Sequence, residues 1–360
     1  MTLSHRRPAL LVALALAAAS AGPGLQATRA QSMPEGPIIV ANWGGQTNET
    51  YDISFIEPYT AETGIEVQQV DAPGLFVART QAQAESGRME WDMLESVTDT
   101  DVAFLARAGL LEPMPADLKQ RLTKQLGAEN VNDYGYHSGM SAMLIVCQKE
   151  RVKACPQNIM EFWDIQSFPE KRAIIGFNPI YPVTSAQLAL GVPRDETATT
   201  PIDVDAVFAK LEELRPAVSV IYTSTQQGTQ VLEQGEADMA IYYVGRIYGE
   251  LLPTGNYEVV WTDGVRAQGT TVVLKGAPHR GAAWHFFEWN AMHLESQARF
   301  ATLRQKTPID AAALELLPPE MREQFPNAPE HKGKTAVPNA GDFIEKFDDI
   351  NRRWQEFVAG

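Results

Sequence analysis

Short apolar runs alternate with segments whose apolar residues recur at helical spacing. Residues 37–43 form an apolar run that ends at two glycines and predicts a buried strand, while residues 75–86 have a helical pattern that stops at Gly87. Further predicted strands are 65–70, 91–94, 143–147, 173–176, 239–243, 259–261 and 270–274, and further predicted helices are 50–63, 101–108, 185–190, 204–214 and 228–234. The alternation up to Gly109 predicts that this part of the chain is α/β with a mainly parallel sheet. The whole chain is predicted to form two α/β lobes, with a mainly helical region after Pro278.

The first thirty residues have the pattern of a secretory signal peptide. Arg6 and Arg7 precede an apolar stretch at 9–21, and small residues follow up to Ala30. As a helix this stretch spans about 20 Å, less than the roughly 30 Å hydrocarbon core of a bilayer. We therefore expect cleavage near Ala30 and export of the mature chain to the periplasm.

Length and charge narrow the class of protein further. The 360 residues predict about two domains at roughly 150 residues each. There are 45 acidic residues against 30 basic ones, a formal charge of −15. Loss of the three arginines in the first thirty residues leaves 27 basic residues and a charge of −18. Such a balance argues against nucleic acid or an anionic membrane as the partner.

The two cysteines, Cys147 and Cys155, lie eight positions apart. In an exported chain this pair predicts a disulfide that closes a short loop, with two buried thiols as the alternative. The spacing does not fit a redox or zinc motif of the CxxC type.

Common catalytic motifs are missing from the sequence. It contains no Walker A, GxGxxG, GxSxG or HExxH pattern. His285 and His293 are separated by about 12 Å if helical, too far to share one metal ion, and are predicted to pack. Asp99 and Asp101 stand at a strand-to-helix junction, where capping the helix and contacting a ligand are both open. We expect no enzymatic activity, no metal and no cofactor.

A set of short motifs carries a family resemblance over the mature chain. They are 42–45 (NWGG), 55–67, 91–94 (WDML), 162–173, 235–243 and 273–278. Through them the chain resembles the extracellular solute-binding proteins of ABC uptake systems, in the spermidine/putrescine-binding branch. The resemblance implies a type II periplasmic-binding fold, in which two α/β lobes close about a hinge over a ligand cleft and then dock on a membrane permease. We expect a monomer whose partners are a small ligand and that permease.

The resemblance also implies a division of the chain between the lobes. We expect residues 34–142 with about 272–315 in the first lobe, and 143–271 with about 316–360 in the second. The chain is expected to cross near 138–143, to return near 269–271 and to cross again beyond Pro308.

Family positions map onto loops that follow predicted strands. They imply an aromatic side chain and backbone donors after the first strand, polar contacts after the third, and an aromatic wall at Tyr243, whose alternative role is plain packing. The candidate ligand-binding residues are Trp43, Gly44, Gly45, Ser96, Thr98, Asp99, Tyr181, Tyr243, Arg246, Gln268 and Thr270.

The sequence departs from the polyamine-binding pattern where charge matters. Segments 178–186 and 268–271, which hold carboxylates in polyamine binders, contain no acid, and Arg246 follows the Tyr243 strand. An ammonium buried without a carboxylate costs several kcal/mol, whereas arginine can hold a carboxylate in a fork. We therefore predict a small zwitterionic or anionic solute, although Arg246 could instead be a surface residue. The alternatives are a polyamine held by Glu95, Asp99 or Asp101, and an exported enzyme or a sensor module on the same scaffold.

Overall fold

The computed structural model describes residues 36–304 and 306–360. The predicted signal peptide, residues 1–30, lies outside the described residues. Within the described ranges, no helix combines the length and the hydrophobicity that a membrane crossing requires.

The strands of the described residues form one mixed sheet. The strands are β1 (Ile38–Asn42), β2 (Val67–Asp71), β3 (Met93–Thr98), β4 (Gly135–Gln148), β5 (Arg172–Ile175), β6 (Val218–Tyr222), β7 (Met239–Tyr243), β8 (Tyr257–Val273) and β9 (Thr335–Ala336). Their order in the sheet is β2-β1-β3-β8-β4-β7-β5-β6, with β9 paired to β8.

Two parallel groups are joined by long antiparallel strands. β1 pairs in parallel with β2 and β3, and β5 pairs in parallel with β6 and β7. Between them β8 is antiparallel to β3 and β4, and β4 is antiparallel to β7. The mainly parallel sheet predicted for the first part of the chain is confirmed by β1, β2 and β3, and the antiparallel centre of the sheet was not predicted. The predicted short strands 143–147, 259–261 and 270–274 are parts of β4 and β8, because polar and glycine positions interrupt their apolar pattern.

Helices cover the sheet and form the end of the chain. They are α1 (Gln46–Tyr51), α2 (Glu57–Thr63), α3 (Phe76–Glu85), α4 (Asp99–Arg107), α5 (Ala116–Leu126), α6 (Ile159–Trp163), α7 (Ile180–Ala189), α8 (Val204–Leu214), α9 (Thr225–Gln234), α10 (Val244–Arg246), α11 (Arg280–Met292), α12 (Leu294–Arg304), α13 (Ala311–Leu314), α14 (Pro319–Arg322), α15 (Ala340–Glu345) and α16 (Phe347–Ala359). The π-helical turns Asp52–Ile56 and Ile247–Leu251 continue α1 and α10, and short 3₁₀ turns lie at Ala128–Asn130, Arg215–Ala217, Leu252–Thr254 and Pro329–His331.

The cysteine pair and the start of α4 had two open interpretations in the sequence. The cysteines form the predicted disulfide between the end of β4 and the segment before α6. The capping role considered for Asp99 and Asp101 is wrong: Thr98, still extended at the end of β3, accepts the Asp101 N–H at 3.2 Å. The two aspartates instead occupy the first turn of α4.

The α11 histidines pack, as the sequence predicts. His285 Nδ1 lies 2.8 Å from the Tyr59 hydroxyl. His293, which follows α11, stacks on Trp289 with ring centroids 4.2 Å apart.

One arginine is wholly buried and organises the loop between α6 and β5. Arg172 donates to the carbonyls of Phe162, Phe168 and Glu170 at 2.8, 2.6 and 2.5 Å. These bonds satisfy buried carbonyl groups that have no place in a helix or strand ladder. The guanidinium therefore holds together the 162–173 motif of the sequence.

Apolar residues separate into a large core cluster and smaller ones. The large cluster draws on residues 142–265 and 336–357. Two others draw on residues 38–140 and 272–309, and the smallest joins α12 to Leu317 and Phe325. The long strands β4 and β8 contribute to the large cluster with one end and to the smaller ones with the other.

Candidate ligand-binding cleft

A cleft of about 810 Å³ opens over the middle of β4 and β8. The lining residues come from the turn after β1 and from α1, β3, β4 and α12, as well as from α7, β7, α10 and β8. Most of the predicted site residues line it, namely Trp43, Ser96, Thr98, Tyr181, Tyr243, Arg246 and Gln268. Seven of the eleven residues predicted from separate parts of the sequence therefore line one cavity.

The remaining predicted residues, Gly44, Gly45, Asp99 and Thr270, are not among those that line the cleft. Thr270 is fully buried, and its hydroxyl is 3.1 Å from His137 Nδ1 and 3.4 Å from an Asp99 carboxylate oxygen. Gly44 and Gly45 form the turn into α1 at positive φ. A Cβ atom on Gly44 would stand 2.9 Å from the Asp71 carboxyl carbon, so this turn requires glycine.

Trp43 and Ser96 form one corner of the cleft. The Trp43 indole donates to the Ser96 carbonyl at 3.0 Å and packs edge-on against Phe76, yet 36% of its surface stays exposed. Ser96 has a φ of 56° and lies where the pairing of β3 with β8 shifts register. Such an irregularity redirects a side chain out of the strand pattern. The corner is therefore fixed before any ligand binds.

Two tyrosines form an aromatic wall. Tyr181 in the first turn of α7 and Tyr243 at the end of β7 meet edge to face, with ring centroids 6.1 Å apart. Burial raises the pKa of Tyr243 to about 12, and it also raises that of Tyr181. Both hydroxyls therefore keep their protons at neutral pH and can donate hydrogen bonds.

The cleft lining is basic although the chain is acidic. Arg246, Arg304 and Lys306 line it, and Glu250 is the one carboxylate among the lining residues of the described chain. Arg246 forms an ion pair with Glu250, whose other oxygen accepts from Thr229 at 2.8 Å. One of the three positive charges is thereby compensated.

The other two cations have neutral partners. Arg304 donates to the Gln46 side-chain oxygen at 2.8 Å and to the Thr47 hydroxyl at 3.2 Å. Lys306 donates to the Ser96 hydroxyl at 2.6 Å. Over residues 36–304 and 306–360, neither cation has a carboxylate oxygen within 4.0 Å. Their charges are available to a ligand.

These charges are close enough to affect one another. Burial lowers the pKa of Arg304, and the charge of Arg246 lowers it further. Burial also lowers the pKa of Lys306; the Glu95 carboxylate acts against this shift, and Arg304 acts with it. An anion bound among them would relieve this repulsion, because an opposite charge favours the protonated form.

The acids considered for a polyamine ligand lie elsewhere. Glu95 is buried and accepts from the Thr271 hydroxyl at 2.5 Å and from the Tyr51 hydroxyl at 3.3 Å; burial raises its pKa. Burial raises the pKa of Asp99 to about 7, and its carboxylate is 3.9 Å from His137 Nδ1. Neither residue is among those that line the cleft.

Sequence reasoning missed Arg304, Lys306 and Glu250. The two bases stand at the end of α12, just before Thr307 and Pro308, and Thr307 bridges to Met140 of β4. The sequence did contain a signal for the two bases: they lie close together where a helix ends, just before a proline. Glu250 is four positions beyond Arg246, a spacing that favours a helical ion pair.

Comparisons with known proteins agree with this geometry. Residues 54–332 match the family model for bacterial extracellular solute-binding proteins. A gamma-aminobutyric acid-binding protein of Pseudomonas aeruginosa is 25% identical over 337 residues, which cover 92% of this chain and 93% of that protein. The structure of the periplasmic binding protein MotA from A. tumefaciens B6 in complex with glucopine is 27% identical, with a TM-score of 0.73 and coverage of 90% of this chain and 100% of that one.

A further solved structure, that of the Atu4243-GABA receptor, has a TM-score of 0.78 at 24% identity. The match covers 90% of this chain and 98% of that chain. The fold, the cleft and the family match all indicate a solute-binding protein. The chain belongs to the bacterial extracellular solute-binding proteins and has the two-lobe fold of the periplasmic binding proteins, with its ligand cleft between the lobes.

Proposed function

We propose that this protein is the periplasmic substrate-binding component of an ABC importer. It is exported through its signal peptide, captures a small solute between its lobes and delivers that solute unchanged to a membrane permease. The solute carries at least one carboxylate and is zwitterionic or anionic. The family match and the relatives that bind γ-aminobutyrate and glucopine support this proposal.

The positive charge of the cleft lining is the observation that favours a solute with a carboxylate. Three basic side chains face the cavity, and Arg304 and Lys306 have only neutral partners. A carboxylate there gains charge-assisted hydrogen bonds from donors that are already held in place. A diamine would have to bury two ammonium groups beside those cations, and among the described lining residues the one carboxylate, Glu250, is already paired with Arg246; such burial costs several kcal/mol.

Glu250 and the tyrosine wall suit the other end of a zwitterion. An ammonium group can lie against the faces of Tyr181 and Tyr243, where aromatic rings attract cations. Glu250 offers a carboxylate from the same part of the lining. In this arrangement Arg246 positions Glu250 as well as the ligand.

The proposed lobes are residues 34–142 with about 272–315, and 143–271 with the end of the chain. The apolar clusters support this division, since one draws on residues 142–265 and 336–357 and others on 38–140 and 272–309. The packing of Leu317 and Phe325 against α12 supports a last crossing beyond Phe325, later than the sequence suggested.

A thermal-shift panel on refolded, ligand-free protein tests the function. At about 1,000 times its Kd, a ligand adds about 4 kcal/mol. Over roughly 330 residues that is a shift of about 6 °C. We expect such shifts with ω-amino carboxylates, dicarboxylates or N-carboxyalkyl amino acids. Shifts with putrescine or spermidine alone, or chemical conversion of any bound compound, would contradict the proposal.

A matched pair of variants assigns the effect to the cleft. Arg304 and Arg299 lie on the same helix, but Arg304 lines the cleft whereas Arg299 is exposed and donates to the Ile53 carbonyl. Arg304→Gln should weaken carboxylate binding tenfold or more, the effect of losing one charged hydrogen bond. Arg299→Gln should bind like the wild type.

A further inference from the structure

Two paired glycines leave a gap on the face of the sheet beneath the cleft, a patch where no side chain projects. Gly139 of β4 and Gly269 of β8 are register partners, and both line the cavity. A Cβ atom on Gly139 would stand 1.8 Å from Lys306 Cε, and one on Gly269 would stand 2.0 Å from Ser96 Oγ. Two glycines therefore make room for these two polar side chains.

Lys306 is held in this gap from several sides. Its ammonium nitrogen lies 2.6 Å from the Ser96 hydroxyl and 5.5 Å from the centroid of the Phe300 ring. The neighbouring Thr307 bridges to Met140, which fixes the backbone against β4. An ammonium has three N–H donors, and Ser96 takes one of them. A partly buried cation that is held in place and lines a cleft with donors to spare is suited to bind an anionic group.

Lys306 and Arg246 belong to different walls. Lys306 contacts β3, β4 and α12, whereas Arg246 follows β7 and pairs with Glu250. Arg304 lies near enough to both to share their repulsion. Lys306 therefore offers its donors from the side of β3 and β4, while Arg246 lies on the side of β7.

We propose that Lys306 forms a second anion subsite, separate from the one formed by Arg304 and Arg246. The cleft therefore selects solutes with two carboxylates over solutes with one. This inference rests on the proposed function and names its substrate class: amino acids and amino acid conjugates that carry a second acidic group. One carboxylate binds at Arg304 and Arg246, and the other accepts from Lys306 Nζ beside Ser96.

Matched ligand pairs test the inference by isothermal titration. Glutamate is 4-aminobutanoate with one added carboxylate, and 2-aminoadipate bears the same relation to 5-aminopentanoate. N-(1-carboxyethyl)glutamate extends the series to conjugates. We expect the dicarboxylate of at least one pair to bind 10- to 100-fold more tightly than its partner, the effect of one charged hydrogen bond. Equal or weaker binding of every dicarboxylate would overturn the inference.

The variant Lys306→Met should reduce that preference to less than about threefold, because methionine keeps the apolar stem but no charge. A preference that survives Lys306→Met would overturn the assignment of the subsite. If the single variant does not fold, the double variant Lys306→Met/Glu95→Gln removes the nearby buried carboxylate as well, and the same comparison applies. Binding of monocarboxylates alone would refute only the second subsite. Binding of polyamines alone would refute the proposed function itself.

Discussion

The substitution Gly139→Ala tests the gap in the sheet directly. The added methyl group would lie 1.8 Å from Lys306 Cε, whereas ordinary contact begins at 3.4 Å, so the lysine stem must move by at least 3.4 − 1.8 = 1.6 Å. Such a movement takes the ammonium out of reach of the Ser96 hydroxyl, now at 2.6 Å.

Gly139→Ala should change the ligand affinity much more than the stability of the fold. A charged hydrogen bond is worth about 1.5–3 kcal/mol, which is a loss of roughly 10- to 100-fold in affinity for a ligand held by Lys306. The fold should tolerate the change, because the colliding atoms lie at the far end of a flexible side chain. Alanine also lowers the entropy of the unfolded chain by about 0.4–1 kcal/mol. For a chain of this size we expect a change in Tm of less than about 3 °C.

Titration calorimetry and thermal unfolding of the same preparation separate the two effects. Gly281→Ala is the control, since an added methyl group on α11 meets nothing within 4 Å and lies outside the cleft. We expect Gly281→Ala to bind like the wild type. Affinity within twofold of the wild type for Gly139→Ala would refute the reasoning, and so would a loss of binding explained by unfolding.

Three further predictions concern stability. Reducing the Cys147–Cys155 disulfide should lower the free energy of unfolding by about 2–3 kcal/mol, seen as a lower urea midpoint with dithiothreitol; an unchanged midpoint would count against it. Arg172→Leu should cost about 3–5 kcal/mol in urea unfolding because buried carbonyls lose their donor, whereas Arg352→Leu, at an exposed position, should leave the urea midpoint close to that of the wild type. Burial raises the pKa of Asp99 from 3.8 to about 7, so its contribution to stability is present below pH 4 and is lost as pH rises toward 7. Wild-type stability relative to Asp99→Asn should therefore fall between pH 4 and pH 8, and parallel curves would disprove this.

Local patterns predicted the elements whose signals are contained in a few residues. The apolar run before Gly44 and Gly45 gave β1, and the two cysteines gave the disulfide. The long strands could not be predicted in full. Their central residues face the cleft, where glycine and polar side chains replace the apolar alternation that marks a strand.

Only part of the cleft lining was predictable. Loops that follow strands revealed Trp43, Ser96 and Tyr243, because parallel strands present their carboxyl ends to the site. Arg304 and Lys306 come from the end of a helix, more than 30 positions beyond β8, and only the folded chain brings them over β4. The unpaired positive charge of the cleft is therefore a property of tertiary structure.

The central claim is that the cleft binds carboxylates and not polyamines. A charge series on one four-carbon chain tests it most directly: putrescine with two ammonium groups, 4-aminobutanoate with one of each charge, and succinate with two carboxylates. Each is titrated into ligand-free protein while tryptophan fluorescence is recorded, since the half-exposed Trp43 lines the cleft. We expect saturable binding of 4-aminobutanoate or succinate and at least tenfold weaker binding of putrescine. Tighter binding of putrescine than of either carboxylate would contradict the account.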